Sequence, residues 1–376
     1  MIVLTRCATV LALLLGACAS SADNALTGAA PISAAASYDF SEVTNYMDTG
    51  YKSLGLPGAS LLVAKDGKVV YKQHFGSYDD STVVPIASAS KWLSAAVVMT
   101  LVDDSLIALD DPVSKYFPQF TGEKAGMTIR QMFSHTAGIT EATGERQLWN
   151  YDISMSDYAI AAATTEGNMA GPPGSGIRYA STSMQIVGAI AEKVTGKSWN
   201  QLFKERIGDP CEMTDTTYVR TPGTGSGRSM QELLAPTSNP MLAAGAKSSL
   251  HDYSNFLDML FDGGMFNGKR VLSEASVREM QNDQAVGQSL LRASNDRMGR
   301  NSSYGLGEWV DVKAADGRTI QVSSPGAWGF RPWINLDKNV YAVFLMQREV
   351  GGPVINETFD PWKLIDLVHA ATDAGK

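Results

Sequence analysis

The stretch from Pro85 to Leu101, PIASASKWLSAAVVMTL, decides the fold of this chain of 376 residues. Its apolar residues cover nearly every side of a helix, so it predicts a buried helix from Pro85 to Val102. Lys91 lies in the first turn of that helix, three residues after Ser88. Burying an ammonium group is costly unless the group is paired. The stretch therefore predicts a specific partner for Lys91.

Ser88 is the first candidate for that partner, because residues three apart in a helix share a face. At the start of a helix, the backbone N–H of Ser88 is unpaired and lies at the positive end of the helix dipole, which suits it to an oxyanion. A lysine beside a serine hydroxyl can hold the hydroxyl proton or assist its departure, and near-burial favours the neutral amine. The alternative is a capping serine beside a lysine whose charge reaches solvent.

The patterns before and after this helix predict strands at both ends of the chain. Apolar residues recur at helical spacing over residues 40–51, and two β-rich runs over residues 59–76 flank the hairpin signal Asp66-Gly67. Further β-rich runs lie within residues 318–347, and residues 359–372 predict a closing helix.

The middle of the chain, from about residue 103 to 238, is loop-rich and helical. One of its helices is predicted to end at Gly196, which acts as a C-terminal cap. This order predicts one α+β domain over residues 38–376. Its sheet is built from both ends of the chain, and the domain carries a helical insertion.

Residues 1–17 are predicted to be a signal peptide, with an apolar run that is too short to span a bilayer. The run ends in Leu15-Gly16-Ala17-Cys18, which resembles the bacterial lipobox. The resemblance implies cleavage before Cys18 and lipid on its thiol and its new amine. An ordinary signal peptide with a chance cysteine is the alternative.

Residues 18–37 are small and polar, and they predict a tether between a membrane and the domain. Ala19 and Ser20 lack the aspartate that, in proteins of this kind, retains a lipoprotein in the inner membrane. We therefore expect an exported lipoprotein that faces the periplasm and is held in the outer membrane through Cys18.

Composition excludes several other classes of protein. The net charge is −8, and no run of Lys and Arg is long enough to follow a phosphate backbone, so no nucleic-acid partner is expected. The four histidines are scattered without metal-ligand spacing, so no metal site is expected. Once Cys7 and Cys18 are assigned to the N-terminal segment, Cys211 is left alone, and we interpret it as structural.

Four further segments accompany Ser88 and Lys91 in order along the chain. They are MTIRQMFSHTAGI (127–139), YASTSMQIVGAIAEKVTGKSW (179–199), MLAAGAKSSLHDYSNFLDML (241–260) and SSYGLGEWV (302–310). With them the chain resembles the β-lactamase-related serine hydrolases from about Ala59 to its C-terminus. That family includes class C β-lactamases, D-Ala-D-Ala carboxypeptidases and family VIII esterases. The resemblance implies a β-lactamase/transpeptidase-like fold, with an antiparallel sheet flanked by helices and a helical subdomain inserted. It also implies an acyl-enzyme mechanism without a cofactor.

The resemblance also implies roles for particular residues. Ser88 matches the acylated nucleophile, Lys91 matches its helical partner, and Tyr179 matches the tyrosine of the Tyr-x-Asn motif, which acts as general base or shares that role with the lysine. Ser181 stands where the family has asparagine, which weakens the match for the side chain that orients substrate carbonyls. A core tyrosine is the alternative for Tyr179.

The third family motif is Lys-Thr-Gly, or His/Trp-x-Gly in the esterases, and its best match is Ser324-Pro325-Gly326. By resemblance, Gly326 lets a substrate lie against the strand, and the Ala327 N–H completes the oxyanion hole with that of Ser88. Trp328 follows and is a candidate for lining the acyl pocket; filling the core is the alternative.

The departure from Lys-Thr-Gly bears on the substrate. Ser324 keeps a hydroxyl without a charge, and Pro325 has neither a hydroxyl nor an N–H. Unless Arg331 reaches the site, anionic substrates lose their main electrostatic anchor, whereas esters need none. This moves the prediction from a β-lactamase to an esterase.

Three hypotheses about function follow. The first is an esterase for small carboxylic esters, and the second is a β-lactamase or carboxypeptidase that acts on β-lactams or peptidoglycan stems. The third is a catalytically idle lipoprotein that binds the cell wall. A Ser-His triad through His135 is disfavoured, because its loop shapes structure in the family and the chain has no Gly-x-Ser-x-Gly elbow.

Overall fold

The computed structural model describes residues 38–140, 153–219, 236–288, 303–347 and 359–374. The predicted signal peptide, the predicted tether and the lipidation site Cys18 lie outside these residues. In the described ranges, no helix is both long and apolar enough to cross a membrane.

Helices are spread along the whole described chain. They are α1 (Ser41–Ser53), α2 (Ser90–Asp103), α3 (Ile129–Phe133), α4 (Met155–Thr164), α5 (Ser181–Thr195), α6 (Trp199–Phe203), α7 (Leu250–Phe261), α8 (Glu274–Gln281) and α9 (Pro361–Asp373). Gly196 ends α5 with a φ of +68°, as predicted for a C-terminal glycine cap.

Strands lie mainly in the first and last parts of the domain. They are β1 (Gly58–Lys65), β2 (Lys68–Gly76), β3 (Val83–Pro85), β4 (Thr217–Tyr218), β5 (Ala246–Ser249), β6 (Met265–Phe266), β7 (Lys269–Arg270), β8 (Ser303–Tyr304), β9 (Trp309–Lys313), β10 (Thr319–Ser323), β11 (Arg331–Asn335) and β12 (Val340–Leu345). The main sheet has the order β2-β1-β12-β11-β10-β9-β8, and neighbouring strands are antiparallel.

This architecture confirms the predicted α+β class. The N-terminal hairpin β1–β2 and the C-terminal strands share one sheet, and helices α3 to α6 lie in the sequence between them. Asp66 and Gly67 turn the hairpin with φ values of +51° and +71°, the conformation that their dipeptide favours.

The two faces of the main sheet pack against different helices. Leu61 and Val63 of β1 belong to a core cluster with α1 and α9, and we call this side the outer face. Leu62 and Ala64 point the other way, into a larger cluster that contains α2 and α7, and we call this side the inner face. The alternation of side chains along a strand is what allows β1 to be buried on both faces.

The helix predicted from Pro85 begins five residues later than expected. Pro85 ends β3 and pairs with Lys247 of β5, and Ala87–Ala89 form a 3-10 turn before α2 begins at Ser90. Ala87 has a φ of +47°, a left-handed conformation that an α-helix does not accommodate. A continuous apolar run does not distinguish a buried strand from a buried helix, so the predicted boundary was wrong.

The stretch from Leu242 to Phe261 also joins a strand directly to a helix. Its first part contains β5, and α7 starts at Leu250. The N-cap of α7 is Ser249, whose side chain accepts from the Asp252 N–H. Because β5 pairs with β3, it joins the chain segment before α7 to the turn that carries Ser88.

Candidate active site

Ser88 lies in the 3-10 turn between β3 and α2. It is half-buried, whereas its neighbours Ala87 and Ala89 are buried. The left-handed conformation of Ala87 turns the chain sharply at this point. The candidate nucleophile is therefore presented on a bend between a strand and a helix, and not within the helix itself.

Buried hydroxyl groups hold this bend in place. Tyr253 of α7 donates to the carbonyl oxygen of Ala89 at 2.8 Å. Tyr218 of β4 donates to the carbonyl oxygen of Ser90 at 3.0 Å. The Ser90 hydroxyl in turn accepts from the Ala246 N–H at 3.0 Å. Since buried polar groups are costly when unsatisfied, these contacts fix the geometry of the bend from elements that are distant in sequence.

Lys91 is 2% exposed, and its ammonium group has specific partners. Nζ donates to Ser88 Oγ at 3.1 Å and to the carbonyl oxygen of Ala243 at 2.8 Å. It also lies 4.6 Å from the ring centre of Tyr179, whose face attracts a cation. The lysine thus stands between the candidate nucleophile and the candidate base.

Tyr179 immediately precedes the N-cap of α5 and is enclosed by aromatic rings. It stacks on Trp309 with a centroid distance of 5.4 Å and an interplanar angle of 15°, and its ring centre lies 6.0 Å from that of Tyr304. Ser181, the substitute for the family asparagine, is the first residue of α5. Tyr179 and Ser181, which match the Tyr-x-Asn motif, are therefore positioned by the start of α5.

His135 contacts the same tyrosine, which sequence reasoning did not predict. Its ring centre lies 4.4 Å from that of Tyr179, and its Nδ1 accepts from the Ala180 N–H at 3.3 Å. Burial, and to a lesser degree the charge of Lys91, hold the pKa of His135 well below its usual range. A neutral ring that binds the backbone beside Tyr179 supports a structural role for this loop.

The third motif reaches the Ser88 bend through Gly326. A Cβ at this position would lie 2.2 Å from the carbonyl oxygen of Ile86, so only glycine allows this approach. The contact brings the next residue, Ala327, beside the turn that carries Ser88. Trp328 follows and is largely buried.

Ser324, the first residue of the third motif, contacts the protein backbone through its hydroxyl group. It is 2% exposed, and its hydroxyl lies 3.3 Å from the carbonyl oxygens of both Ser88 and Gly307. A hydroxyl has one proton to donate, so this group is directed at the protein backbone. Its contact with Ser88 supports the position of the bend.

Arg331 lies on the opposite side of the sheet from this site. It shares the outer face with Trp333, because residues two apart in β11 point the same way. Its guanidinium group stands 4.9 Å from the ring centre of Trp362 in α9. Arg331 therefore does not supply the cation that Ser324-Pro325-Gly326 lacks.

A buried glutamate lies behind Lys91. Gly307 approaches so closely that a Cβ there would lie 2.5 Å from the carbonyl oxygen of Lys91, and the next residue, Glu308, is 0% exposed. Neither carboxyl oxygen of Glu308 makes a hydrogen bond of ordinary geometry with the described residues, and the Trp92 side chain interacts with the carboxyl group only weakly. Burial, with the nearby charge of Asp311, raises the pKa of Glu308 well above its usual range, and Trp92 offsets this only in part. Burial therefore favours the neutral form of Glu308.

Comparison with known families agrees with this geometry. The family model named Beta-lactamase matches residues 43–360. The chain belongs to the β-lactamase family. In the described ranges, this β-lactamase-family domain has no group of three or more His, Cys, Asp or Glu side chains placed to hold a metal ion.

Solved structures show the same fold. A candidate β-lactamase of Bacteroides dorei is 30% identical with a TM-score of 0.77, and the match covers 89% of this chain and 99% of that one. A family VIII carboxylesterase has a TM-score of 0.67 at 20% identity, covering 90% of this chain and 97% of that one. The likeness to the carboxylesterase, at 20% identity, shows only that the two chains share a fold.

Curated relatives in the family are matched over part of their length. Protein flp of Staphylococcus aureus (strain MW2) is 28% identical over 179 residues, which are 44% of this chain and 36% of flp. Esterase/beta-lactamase LipL of Mycobacterium tuberculosis is 28% identical over 235 residues, which are 58% of this chain and 54% of LipL. The chain thus spans about a third to a half of the relatives that it matches.

Proposed function

We propose that this chain is a serine hydrolase that forms an acyl-enzyme on Ser88 and acts on small, uncharged carboxylic esters. The observation that carries the proposal is the 3.1 Å hydrogen bond between Lys91 Nζ and Ser88 Oγ, with Tyr179 against the same ammonium group. An activated serine hydroxyl needs a base close by, and Lys91 Nζ lies within hydrogen-bond reach of Ser88 while it also contacts Tyr179.

In the proposed reaction, Ser88 Oγ attacks the ester carbonyl while Tyr179, assisted by Lys91, takes the hydroxyl proton. The backbone N–H groups of Ser88 and Ala327 stabilise the negative charge on the carbonyl oxygen. The tetrahedral intermediate collapses, and the alcohol leaves with the proton that the base returns. Water then attacks the acyl-serine by the same route and releases the carboxylic acid.

The preference for uncharged substrates rests on the third motif. Ser324 and Pro325 carry no charge, the Ser324 hydroxyl is directed at backbone carbonyls, and Arg331 faces α9. A carboxylate bound here would lose its water without gaining a cation from Ser324, Pro325 or Arg331. Esters without a carboxylate avoid that cost.

The first measurement is the hydrolysis of a short-chain p-nitrophenyl ester and of a chromogenic cephalosporin, each with the Ser88→Ala variant as control. We expect ester turnover that falls at least ~10³-fold in the variant, and little cephalosporin opening. Undiminished ester turnover in Ser88→Ala would contradict the proposal. An Arg331→Gln variant should leave the ester-to-cephalosporin ratio unchanged.

A β-lactamase or carboxypeptidase is the second candidate, because the name of LipL carries β-lactamase beside esterase activity. Fast cephalosporin opening, or a persistent penicillin adduct on Ser88 seen by mass spectrometry, would favour it. Failure of every serine-directed acylating probe to label Ser88 would instead favour the idle cell-wall-binding lipoprotein.

We further infer that the hydrolase is tethered to a membrane, on the periplasmic side, by lipid on Cys18. The support is the Leu15-Gly16-Ala17-Cys18 sequence after a short apolar run. Metabolic labelling with a fatty-acid probe should mark the wild-type chain and not Cys18→Ala. Equal labelling of both would contradict this inference.

A further inference from the structure

We propose that Gln185 is a positioning residue for Lys91, and that it acts through the backbone of residues 239–243. The inference rests on the proposed function, since its consequence is the reactivity of Ser88. Gln185 lies in α5, six residues after Tyr179, and is fully buried. It does not touch Lys91, so its effect passes through the intervening segment.

The side-chain amide of Gln185 is fully committed to that segment. Its Nε2 donates to Asn239 Oδ1 at 2.6 Å and to the carbonyl oxygen of Pro240 at 2.8 Å. Its Oε1 accepts from the Leu242 N–H at 3.1 Å. Three hydrogen bonds from one buried amide hold a stretch that has no regular secondary structure of its own.

The segment so held ends in the carbonyl group that binds Lys91. Ala243 O accepts from Lys91 Nζ at 2.8 Å, and the preceding carbonyl, of Leu242, accepts from the Ser94 hydroxyl of α2 at 2.8 Å. The segment is therefore clamped between α5 and α2. A shift of the stretch at Gln185 displaces the acceptor at Ala243.

The position of this acceptor matters because lysine is long and flexible. Ser88 Oγ and Ala243 O are the two oxygen atoms that fix Nζ among the described residues. Losing one leaves the ammonium group free to rotate away from the serine. Tyr179 lies two residues before the first residue of α5. The same helix therefore fixes the positions of Tyr179 and, through Gln185, of Lys91.

The test uses Gln185→Met, which removes the amide at similar length, and Gln185→Glu, which keeps the shape and loses the two donors. We expect kcat to fall about tenfold or more with KM nearly unchanged, because misplaced catalytic groups cost transition-state stabilisation. In Gln185→Met, the pH profile of kcat/KM should also change, because the groups that exchange the Ser88 proton no longer hold their relative positions.

Gln321→Met is the matched control for a merely structural effect. Gln321 is also a buried glutamine, but it lies in β10 of the main sheet. Its Nε2 donates to Asp311 and its Oε1 accepts from Asn335, each at 3.3 Å. We expect a comparable loss of thermal stability, with kcat and the pH profile of the remaining folded protein unchanged. Equal changes of kcat in the Gln185 and Gln321 variants would overturn the inference.

The NMR signal of Lys91 tests this inference without depending on turnover, and so separately from the proposed function. In protein labelled with ¹⁵N-lysine, the buried ammonium signal of Lys91, assigned by its loss in Lys91→Met, should shift or broaden in Gln185→Met and stay in place in Gln321→Met. An unchanged signal in Gln185→Met overturns the inference. Absence of Ser88-dependent turnover in the wild type contradicts only the proposed function.

Discussion

Glu308 is a buried acid whose carboxyl group makes no hydrogen bond of ordinary geometry with the described residues. It lies next to Gly307, which packs on the backbone of Lys91. Keeping it neutral is the less costly state, because a buried carboxylate without a partner loses its solvation. The raised pKa of Glu308 thus couples the stability of the fold to pH.

The sign of that coupling follows from proton binding. Above the unfolded-state pKa of about 4.3, the unfolded chain loses a proton that folded Glu308 retains, so the free energy of unfolding falls as pH rises through this window. We expect Glu308→Gln to raise the free energy of unfolding by about 1–3 kcal/mol at pH 8, and by far less near pH 4. Urea denaturation at both pH values measures this.

Glu123→Gln is the control for the loss of a carboxylate, because Glu123 is exposed. It should change the free energy of unfolding by less than about 0.5 kcal/mol at either pH. A Glu308→Gln variant that is no more stable than the wild type at pH 8 would show that the carboxyl group has a partner in solution.

Cys211 illustrates a residue whose interpretation from sequence agrees with the structure. It is free and buried, and burial raises the pKa of its thiol to about 12. A thiol with so little thiolate at neutral pH is a poor nucleophile. This supports the structural role assigned from its isolation in the sequence.

Among the elements, the loop from β10 to β11 and the bend before α2 depend on each other. Gly326 stands against the carbonyl oxygen of Ile86, and the backbone of Ala327 follows directly. The approach is possible because no side chain separates the two segments. The proposed oxyanion hole therefore depends on a contact between elements more than 230 residues apart in sequence.

Gly326→Ala should break this contact. The new Cβ would stand 2.2 Å from Ile86 O, so the loop must move and carry the Ala327 N–H with it. We expect a fall of about 10²-fold or more in kcat for ester hydrolysis, in line with the loss of an oxyanion donor. The free energy of unfolding should fall by about 1–3 kcal/mol. Steady-state kinetics and thermal denaturation measure the two effects.

Gly126→Ala provides the comparison for a glycine in open space, since a Cβ there would meet nothing within 4 Å. Its activity should match that of the wild type. If Gly326→Ala also retains full activity, the Ala327 N–H is not part of the oxyanion hole.

The elements themselves were largely predictable, and their boundaries at the site were not. Alternation and helical spacing identified the hairpin, the C-terminal strands and α5, because those patterns follow from burial on one or two faces. The start of α2 was misplaced, since the break at Ala87 is a left-handed conformation that its residue type does not reveal. That break is imposed by pairing between β3 and β5 and by the contact with Gly326.

Across the domain, the sheet separates a side that carries the candidate site from a side that carries the terminal helices. Leu61, Val63 and Trp333 pack with α1 and α9 on the outer face, and residues one step along each strand pack on the inner face with α2 and α7. The core on the outer face is thus physically separate from the candidate site on the inner face.

Leu61→Ala should therefore destabilise the protein without changing its chemistry. Leu61 is fully buried on the outer face, so the variant should lose about 2–5 kcal/mol of unfolding free energy. The kcat/KM per folded molecule should remain within about twofold of wild type, as sites that share no partners act independently. A tenfold loss of kcat/KM at a temperature where the variant is fully folded would contradict this separation.

The amino-acid sequence was enough to predict the α+β class, the resemblance to β-lactamase-related hydrolases, and the grouping of Ser88, Lys91 and Tyr179. Those inferences depend on local spacing and on motif order, which a chain carries whether or not it is folded. The side of the sheet that Arg331 faces, the direction of the Ser324 hydroxyl, and the contacts of His135 and Gln185 came from the folded arrangement. They depend on which segments come into contact across the sheet and between helices. A local sequence pattern does not specify such long-range contacts.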